Sequence, residues 1–260
     1  MCLILFAWRV DPRYPLVVAA NRDEFFQRPT AVASFWPEAS KVLAGKDLEA
    51  GGTWMGVTTT GRFAALTNFR DPAQMRTERP SRGKLVADYL VGTDSPAEYL
   101  MRSENFGKQC NGYNLLVGDH DSLWWSSNVT GETRELAPGI YGVSNHLLDS
   151  PWPKVGAGRT ALESALLALP NNSALFELLT DATIHDDQFL PSTGIAIEWE
   201  RMLSAAFIRI PANSPTYGTR SSTVMVMNRD GMTNYDEVTW ATDSSAAKVL
   251  VRKRHRFQAR

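Results

Sequence analysis

The chain has 260 residues, enough for one large domain or two small ones, and at this length a core needs no disulfide or metal to hold it. Lys plus Arg number 27 and Asp plus Glu 28, a formal charge of −1, which excludes a globally basic nucleic-acid binder and an acidic disordered tail. A hydrophobic fraction of 43% excludes wholesale disorder, and no apolar run reaches the ~18 residues of a membrane span.

The first predicted element is a strand over Cys2 to Val10, apolar on both faces and so expected between two layers. It lacks a basic leader and a small-residue cleavage site, which argues against a signal peptide. Pro12 and Pro15 bracket a turn, and Leu16 to Asn21 should return as the second strand of a hairpin. Thr53 to Thr59 and Arg62 to Asn68, joined at Thr60-Gly61, form a second hairpin.

Helices are expected over Ser81 to Val91 and from Ser95 to about Ser103, the latter opened by the capping box Ser95-Pro96-Ala97-Glu98. Tyr113 to Val117, Ser122 to Ser126, Thr133 to Leu136 and Ile140 to Ser144 read as a meander. Further helices should span Trp152 to Leu169, Leu175 to Thr180 and Ile197 to Leu203. Strands close the chain at Thr223 to Asn228, Met232 to Trp240 and, as an edge, Lys248 to Phe257. Groups of strands separated by groups of helices make an α+β pattern with two stacked sheets, and no break in composition divides residues 1–260.

Two cysteines, Cys2 and Cys110, make no disulfide framework, and a reducing cytoplasm is the expected setting. The four histidines show no metal-ligand spacing, so no cofactor is expected. Cys2 read alone is a small hydrophobe on a core strand. Its position after Met1 gives it a second meaning. Removal of Met1 would expose an α-amine of pKa ~7.7–8.0 on the residue that carries the thiol, so one residue would supply nucleophile and base. The polar run Asn21-Arg22-Asp23-Glu24 follows the second strand, and hairpin pairing would bring it to Cys2. A carboxylate there would orient the amine, and a guanidinium would favour the thiolate. An aspartate paired with the ammonium should titrate below its usual range.

Cys2 and Asn21-Arg22-Asp23-Glu24 stand in order with Gly51-Gly52-Thr53-Trp54, Thr67-Asn68-Phe69-Arg70, Tyr113-Asn114-Leu115, Gly142-Val143-Ser144-Asn145 and Tyr217-Gly218-Thr219-Arg220-Ser221. Together they resemble the NRDE family, also called the transport and Golgi organisation family. More distantly they resemble the N-terminal nucleophile hydrolases of the choloylglycine hydrolase and penicillin V acylase type. The resemblance implies a four-layer αββα sandwich of two antiparallel sheets flanked by helices. It implies Cys2 as nucleophile, Asp23 as the carboxylate on its amine, Arg22 beside the thiolate, Asn68 and Asn145 in the oxyanion region, and Arg220 as a late supporting arginine. It implies hydrolysis of a non-peptide C–N amide bond in a small molecule. The alternative from another class is a non-catalytic carrier of an apolar ligand such as haem or a lipid.

This sequence departs from the hydrolases in one respect. Arg22 and Asp23 are adjacent here, whereas the hydrolases separate the arginine and the aspartate by three positions. Adjacent residues on a strand point to opposite faces, so Asn21 and Asp23 should share one face, and Arg22 and Glu24 the other.

Overall fold

The structure is a computed structural model and describes residues 2–209, 217–242 and 247–259. In chain order the elements are β1 (Cys2–Asp11), β2 (Tyr14–Phe25), β3 (Thr30–Trp36), β4 (Ala39–Asp47), β5 (Met55–Thr58), β6 (Phe63–Asn68), α1 (Gly83–Val91) and α2 (Pro96–Gln109). There follow β7 (Tyr113–Gly118), β8 (Leu123–Ser127), β9 (Thr133–Glu135), β10 (Gly139–Val143), α3 (Pro153–Leu166), α4 (Ser173–Leu179), α5 (Ile197–Met202), β11 (Tyr217–Met227), β12 (Met232–Trp240) and β13 (Val249–Gln258). The strands form two antiparallel sheets, ordered β10-β1-β2-β11-β12-β13 and β3-β4-β5-β6-β7-β8-β9.

The alternation of side chains along β1 explains why it is apolar throughout. Ile4, Phe6 and Trp8 enter the core between the sheets, where they join Met55, Val57, Phe63 and Trp125 of the second sheet. Leu3, Leu5 and Ala7 face the other way and pack with Val155 and Leu162 of α3 and Leu175 of α4. On the far side, Leu85 and Tyr89 of α1 and Tyr99 of α2 cover Val42, Ala64 and Leu115 of the second sheet. Helix, sheet, sheet and helix are therefore the four layers expected from the sequence. The capping box opens α2 as read: the Ser95 hydroxyl accepts from the Glu98 N–H, and the Glu98 carboxylate accepts from the Ser95 N–H.

Two expectations are corrected and one gap is filled. The second strand does not stop at Asn21 but runs to Phe25, because β11 pairs with it from Leu16 to Phe25 and gives its polar end a partner. The stretch from Thr30 to Asp47, unread in the sequence, is the hairpin β3-β4 at the edge of the second sheet. Residues Gly139–Val143 leave the meander and pair with β1 in the first sheet, Ile4 opposite Val143.

Helix α3 packs against β1 at Gly158, where a Cβ would lie 2.6 Å from Leu5 Cδ1, whereas Gly156 faces open space. Leu5 is fully buried and has little room to yield. Gly158→Val should therefore lower stability in urea by roughly 1–3 kcal/mol through overpacking. Gly156→Ala should raise it by up to about 1 kcal/mol through helix propensity. Equal effects at the two positions would contradict this packing.

Candidate active site

The end of the β1-β2 hairpin holds the site. Cys2 pairs with Arg22 and Leu3 with Asn21, so the Cys2 and Arg22 side chains share the face that looks between the sheets. Arg22 is almost fully buried. Its guanidinium donates to Thr30 Oγ1 at 3.1 Å, lies 3.5 Å from Glu24 Oε2 and stacks 4.2 Å from the Trp54 ring. Cys2, Arg22, Trp54, Met55 and Thr223 surround a space of about 10 Å³, room for one water. Burial pushes the Cys2 thiol up and the Asp23 charge adds to that, while the Arg22 charge and the Asp23 backbone N–H pull it back, and burial prevails. The Arg22 charge thus favours the thiolate in the direction expected, but desolvation outweighs it.

Asn21 and Asp23 occupy the opposite face, as strand geometry requires. Asn21 Nδ2 donates to the Leu179 and Ala206 carbonyls at 2.8 and 2.7 Å, and its Oδ1 accepts from Ser222 Oγ at 2.5 Å. These bonds make Asn21 a clamp between the sheet and the chain around Ala206. Asp23 is 1% exposed and accepts from Thr219 Oγ1 at 2.7 Å. Burial raises the Asp23 carboxyl above its usual range, while Lys154, Thr219 and Arg70 draw it back. The expected depression is therefore reversed, because desolvation outweighs the nearby positive charges.

Asn145 and Asn68 meet across the ends of β10 and β6. Asn145 Nδ2 donates to the Asn68 carbonyl at 2.8 Å, which leaves one N–H of the amide for another acceptor. The neighbouring Ser144 Oγ donates to the Cys2 carbonyl at 3.0 Å and ties this corner to β1. Both asparagines line a cleft of about 400 Å³ with Phe69, Met75, Arg79, Arg82 and Val129. Cys2 is not among the lining residues, although the Arg82 charge acts on both Cys2 and Cys110.

Arg220 does not join the thiol. It is the extra residue of a bulge where β11 shifts register against β2, and it donates to the carbonyls of Phe25, Phe26 and Arg28. Its visible role is to hold the turn after β2. His146 sits between the Phe69 and Trp152 rings, 5.1 and 5.7 Å away, and burial lowers its affinity for a proton.

Sequence reading missed several members of the site. Arg70 follows Asn68 by two residues, donates its backbone N–H to the Asn145 carbonyl at 2.8 Å, and pairs with buried Glu200 at 2.5 Å. Lys154, in the first turn of α3, is 3% exposed and donates to the Leu203 carbonyl at 2.7 Å. Lys154 and Glu200 lie on amphipathic helices and look like ordinary surface charges in sequence. Arg70 carried a signal, since it ends the motif Thr67-Asn68-Phe69-Arg70.

A family profile described as "Transport and Golgi organisation 2" matches residues 1–242. The chain belongs to this family. The Transport and Golgi organization protein 2 homolog of Bos taurus is 36% identical over 258 residues, covering 91% of this chain and 92% of the relative. The Homo sapiens homolog is 33% identical with the same coverage, and the Drosophila melanogaster protein 29% identical with 92% of each chain covered. Among solved structures, a Caenorhabditis elegans ortholog of N-acylethanolamine-hydrolyzing acid amidase aligns at 12% identity and TM-score 0.48, covering 86% of this chain and 92% of its own. A conjugated bile acid hydrolase of Clostridium perfringens aligns at 13% identity and TM-score 0.43, covering 100% and 98%. Among the described residues no cluster of three or more His, Cys, Asp or Glu could hold a metal, and no helix is long and apolar enough to cross a membrane.

The raised Asp23 carboxyl fixes the sign of a stability effect. A group that binds its proton more tightly folded than unfolded stabilises the fold while protonated. That contribution is lost as pH rises from the unfolded value of about 3.9 through the folded one. Asp23→Asn should therefore gain on the parent chain as pH rises from about 4 to about 7, read from urea midpoints. A variant that loses ground with rising pH would mean a stabilising, depressed carboxylate instead.

Proposed function

We propose that this chain is an N-terminal-cysteine amidohydrolase that cleaves a non-peptide C–N amide bond of a small molecule. The supporting observation is the register that sets Cys2 opposite Arg22 with Asp23 next along the strand. Removal of Met1 turns the Cys2 backbone nitrogen into a free amine at the end of β1, beside the segment that carries Asp23. The half-buried Cys2 thiol is pushed up by desolvation, so it needs a local base, and the α-amine is the base nearest in the chain.

The steps follow from these groups. The α-amine takes the thiol proton, and Sγ bonds to the substrate carbonyl carbon. The carbonyl oxygen becomes an oxyanion, which the remaining Asn145 N–H and the Asn68 amide receive. The C–N bond breaks as the α-ammonium returns its proton to the leaving amine. Water then attacks the thioester with the same amine as base, and the acid departs with the thiol restored. Asp23 orients the amine, and Arg22 supplies the positive charge on the thiol's own face. Arg220 supports the site at one remove through the turn at Phe25 to Arg28. No step calls for a cofactor.

One observation favours the second reading, a carrier of an apolar ligand such as haem or a lipid. The cleft of about 400 Å³ has apolar walls at Phe69, Met75 and Val129, and its lining does not include Cys2. A ligand held there needs no nucleophile.

Alkylation separates the two. At about pH 7 dilute iodoacetamide should modify Cys2 at least about tenfold faster than buried Cys110, whose thiol burial also pushes up. One residue added before Cys2 converts the amine to an amide and should abolish that preference. Equal labelling of the two cysteines, or labelling indifferent to the extension, would favour the carrier, which would also keep its ligand in Cys2→Ala.

A further inference from the structure

The cleft of about 400 Å³ beside Asn68 and Asn145 carries a charge pattern that the steps above leave unused. Two pieces of chain build its rim, the loop of residues 69–82 between β6 and α1 and the turn Cys110-Asn111-Gly112 after α2. Hydrogen bonds lace the two together. Asn111 Oδ1 accepts from the Arg76 N–H at 2.9 Å, Asn111 Nδ2 donates to the Arg76 carbonyl at 2.7 Å, and the Gly112 carbonyl accepts from the Phe69 N–H at 2.9 Å.

The charged side chains along the lining are Arg70, Asp71, Arg79, Arg82 and Lys108. Arg70 pairs with Glu200 at 2.5 Å, Lys108 pairs with Glu104 at 2.6 Å, and the Asp71 carboxylate accepts from the Gln74 N–H at 3.3 Å. Arg79 and Arg82 differ. Each donates to a backbone carbonyl, Arg79 to Cys110 at 3.0 Å and Arg82 to Gly112 at 3.1 Å. Among the described residues neither has a carboxylate at ion-pair distance. Glu24 acts on Arg82 only from further off, and it is held by Arg22 at 3.5 Å and Arg28 at 3.9 Å. A guanidinium carries five N–H donors, so one carbonyl leaves most of each fork open. A neutral amide would make the same carbonyl ties. Arg82 is moreover half-buried, where a charge without a counter-ion is costly.

The walls beside these forks are apolar. Met75 is 60% exposed and Val129 47%, and Phe69 joins them along the lining. Gly112 lets Phe69 and Val129 approach one another, since a Cβ there would lie 3.0 Å from a side-chain carbon of each. Apolar side chains in a concave site with a few fixed polar groups make a small-molecule pocket.

We propose that this cleft binds an apolar tail with an anionic head, a carboxylate or a phosphate. The head takes the open forks of Arg79 and Arg82, which match either group, and the tail lies on Phe69, Met75 and Val129. The site goes beyond both readings above, because an enzyme and a carrier could use it alike and none of these five residues takes part in the hydrolytic steps.

Isothermal titration calorimetry on the full chain tests it, with probes that share one tail: decanoate, decyl phosphate, neutral decanamide and cationic decyltrimethylammonium. At least one anion should bind about tenfold or more tightly than decanamide, and the cation should bind more weakly still. The tighter anion names the head. Added salt should erode the anion's advantage and leave decanamide unmoved. Arg79→Gln lies on the exposed rim and can still donate to the Cys110 carbonyl. It should weaken the anion about fivefold or more without changing decanamide, and Arg82→Gln should do the same. Val129→Ser should weaken both probes alike. If Arg82→Gln does not fold, Arg79→Gln decides alone. A merely structural tie would lower stability and weaken all probes together. Failure of both anions to bind, equal affinity for anion and decanamide, or an anion preference that survives Arg79→Gln overturns the proposal. Cys2 alkylation on the same samples keeps the questions apart. An unreactive Cys2 beside an anion-binding cleft would count against the hydrolase alone, and a reactive Cys2 beside a cleft indifferent to charge would count against this site alone.

Discussion

The pairing of β1 with β2 in the register Cys2 to Arg22 is the constraint from which the site follows. Side chains alternate along a strand, so this single register sends Cys2 and Arg22 to the core between the sheets, and Asn21 and Asp23 to the layer beneath the helices. A slip of one residue would exchange the two sets. The register is held by burial on both faces of β1, and by β11 on the far side of β2, whose bulge at Arg220 absorbs the change in step. The thiol and the carboxylate thus approach the chain end from opposite faces of one sheet.

The charged layer beneath the helices is expensive to maintain. Asp23, Lys154, Arg70 and Glu200 are all nearly removed from water, and buried ions stabilise a fold poorly unless well paired. Hydrophobic contacts around them, among Leu3, Leu5, Val155 and Leu175, offset that cost. Groups held at such cost, with Asp23 displaced upward and Lys154 downward, are a pattern found at sites that handle protons. Asn21 differs from its neighbours in the motif. Its amide is consumed by the Leu179, Ala206 and Ser222 bonds, which makes it a fastener of the layer.

Much of this was legible in the sequence because its signals are local. The doubly apolar run at Cys2 to Val10, the turn at Pro12 and Pro15, and the capping box at Ser95 each act over a few residues, and each folds as read. The two-faced alternation of Arg22 and Asp23 was legible for the same reason. What escaped depends on distant partners. The motif Asn21-Arg22-Asp23-Glu24 looks like a strand end until β11, almost two hundred residues later, is laid beside it. The strand Gly139–Val143 looks like the end of a meander until β1 claims it. Arg220 could be marked by its motif, but its bulge and the three carbonyls it holds could not. Lys154 and Glu200 gave no signal, since a charge on an amphipathic helix reads as solvated until the helix is placed.

The account depends most on a free amine at Cys2, because the thiol has no other base in its own residue. Mass spectrometry of the N-terminal peptide from natively expressed protein addresses this directly. The account predicts that the peptide begins at Cys2 with an unblocked amine. Retention of Met1, or an acylated Cys2, in most of the protein would contradict it.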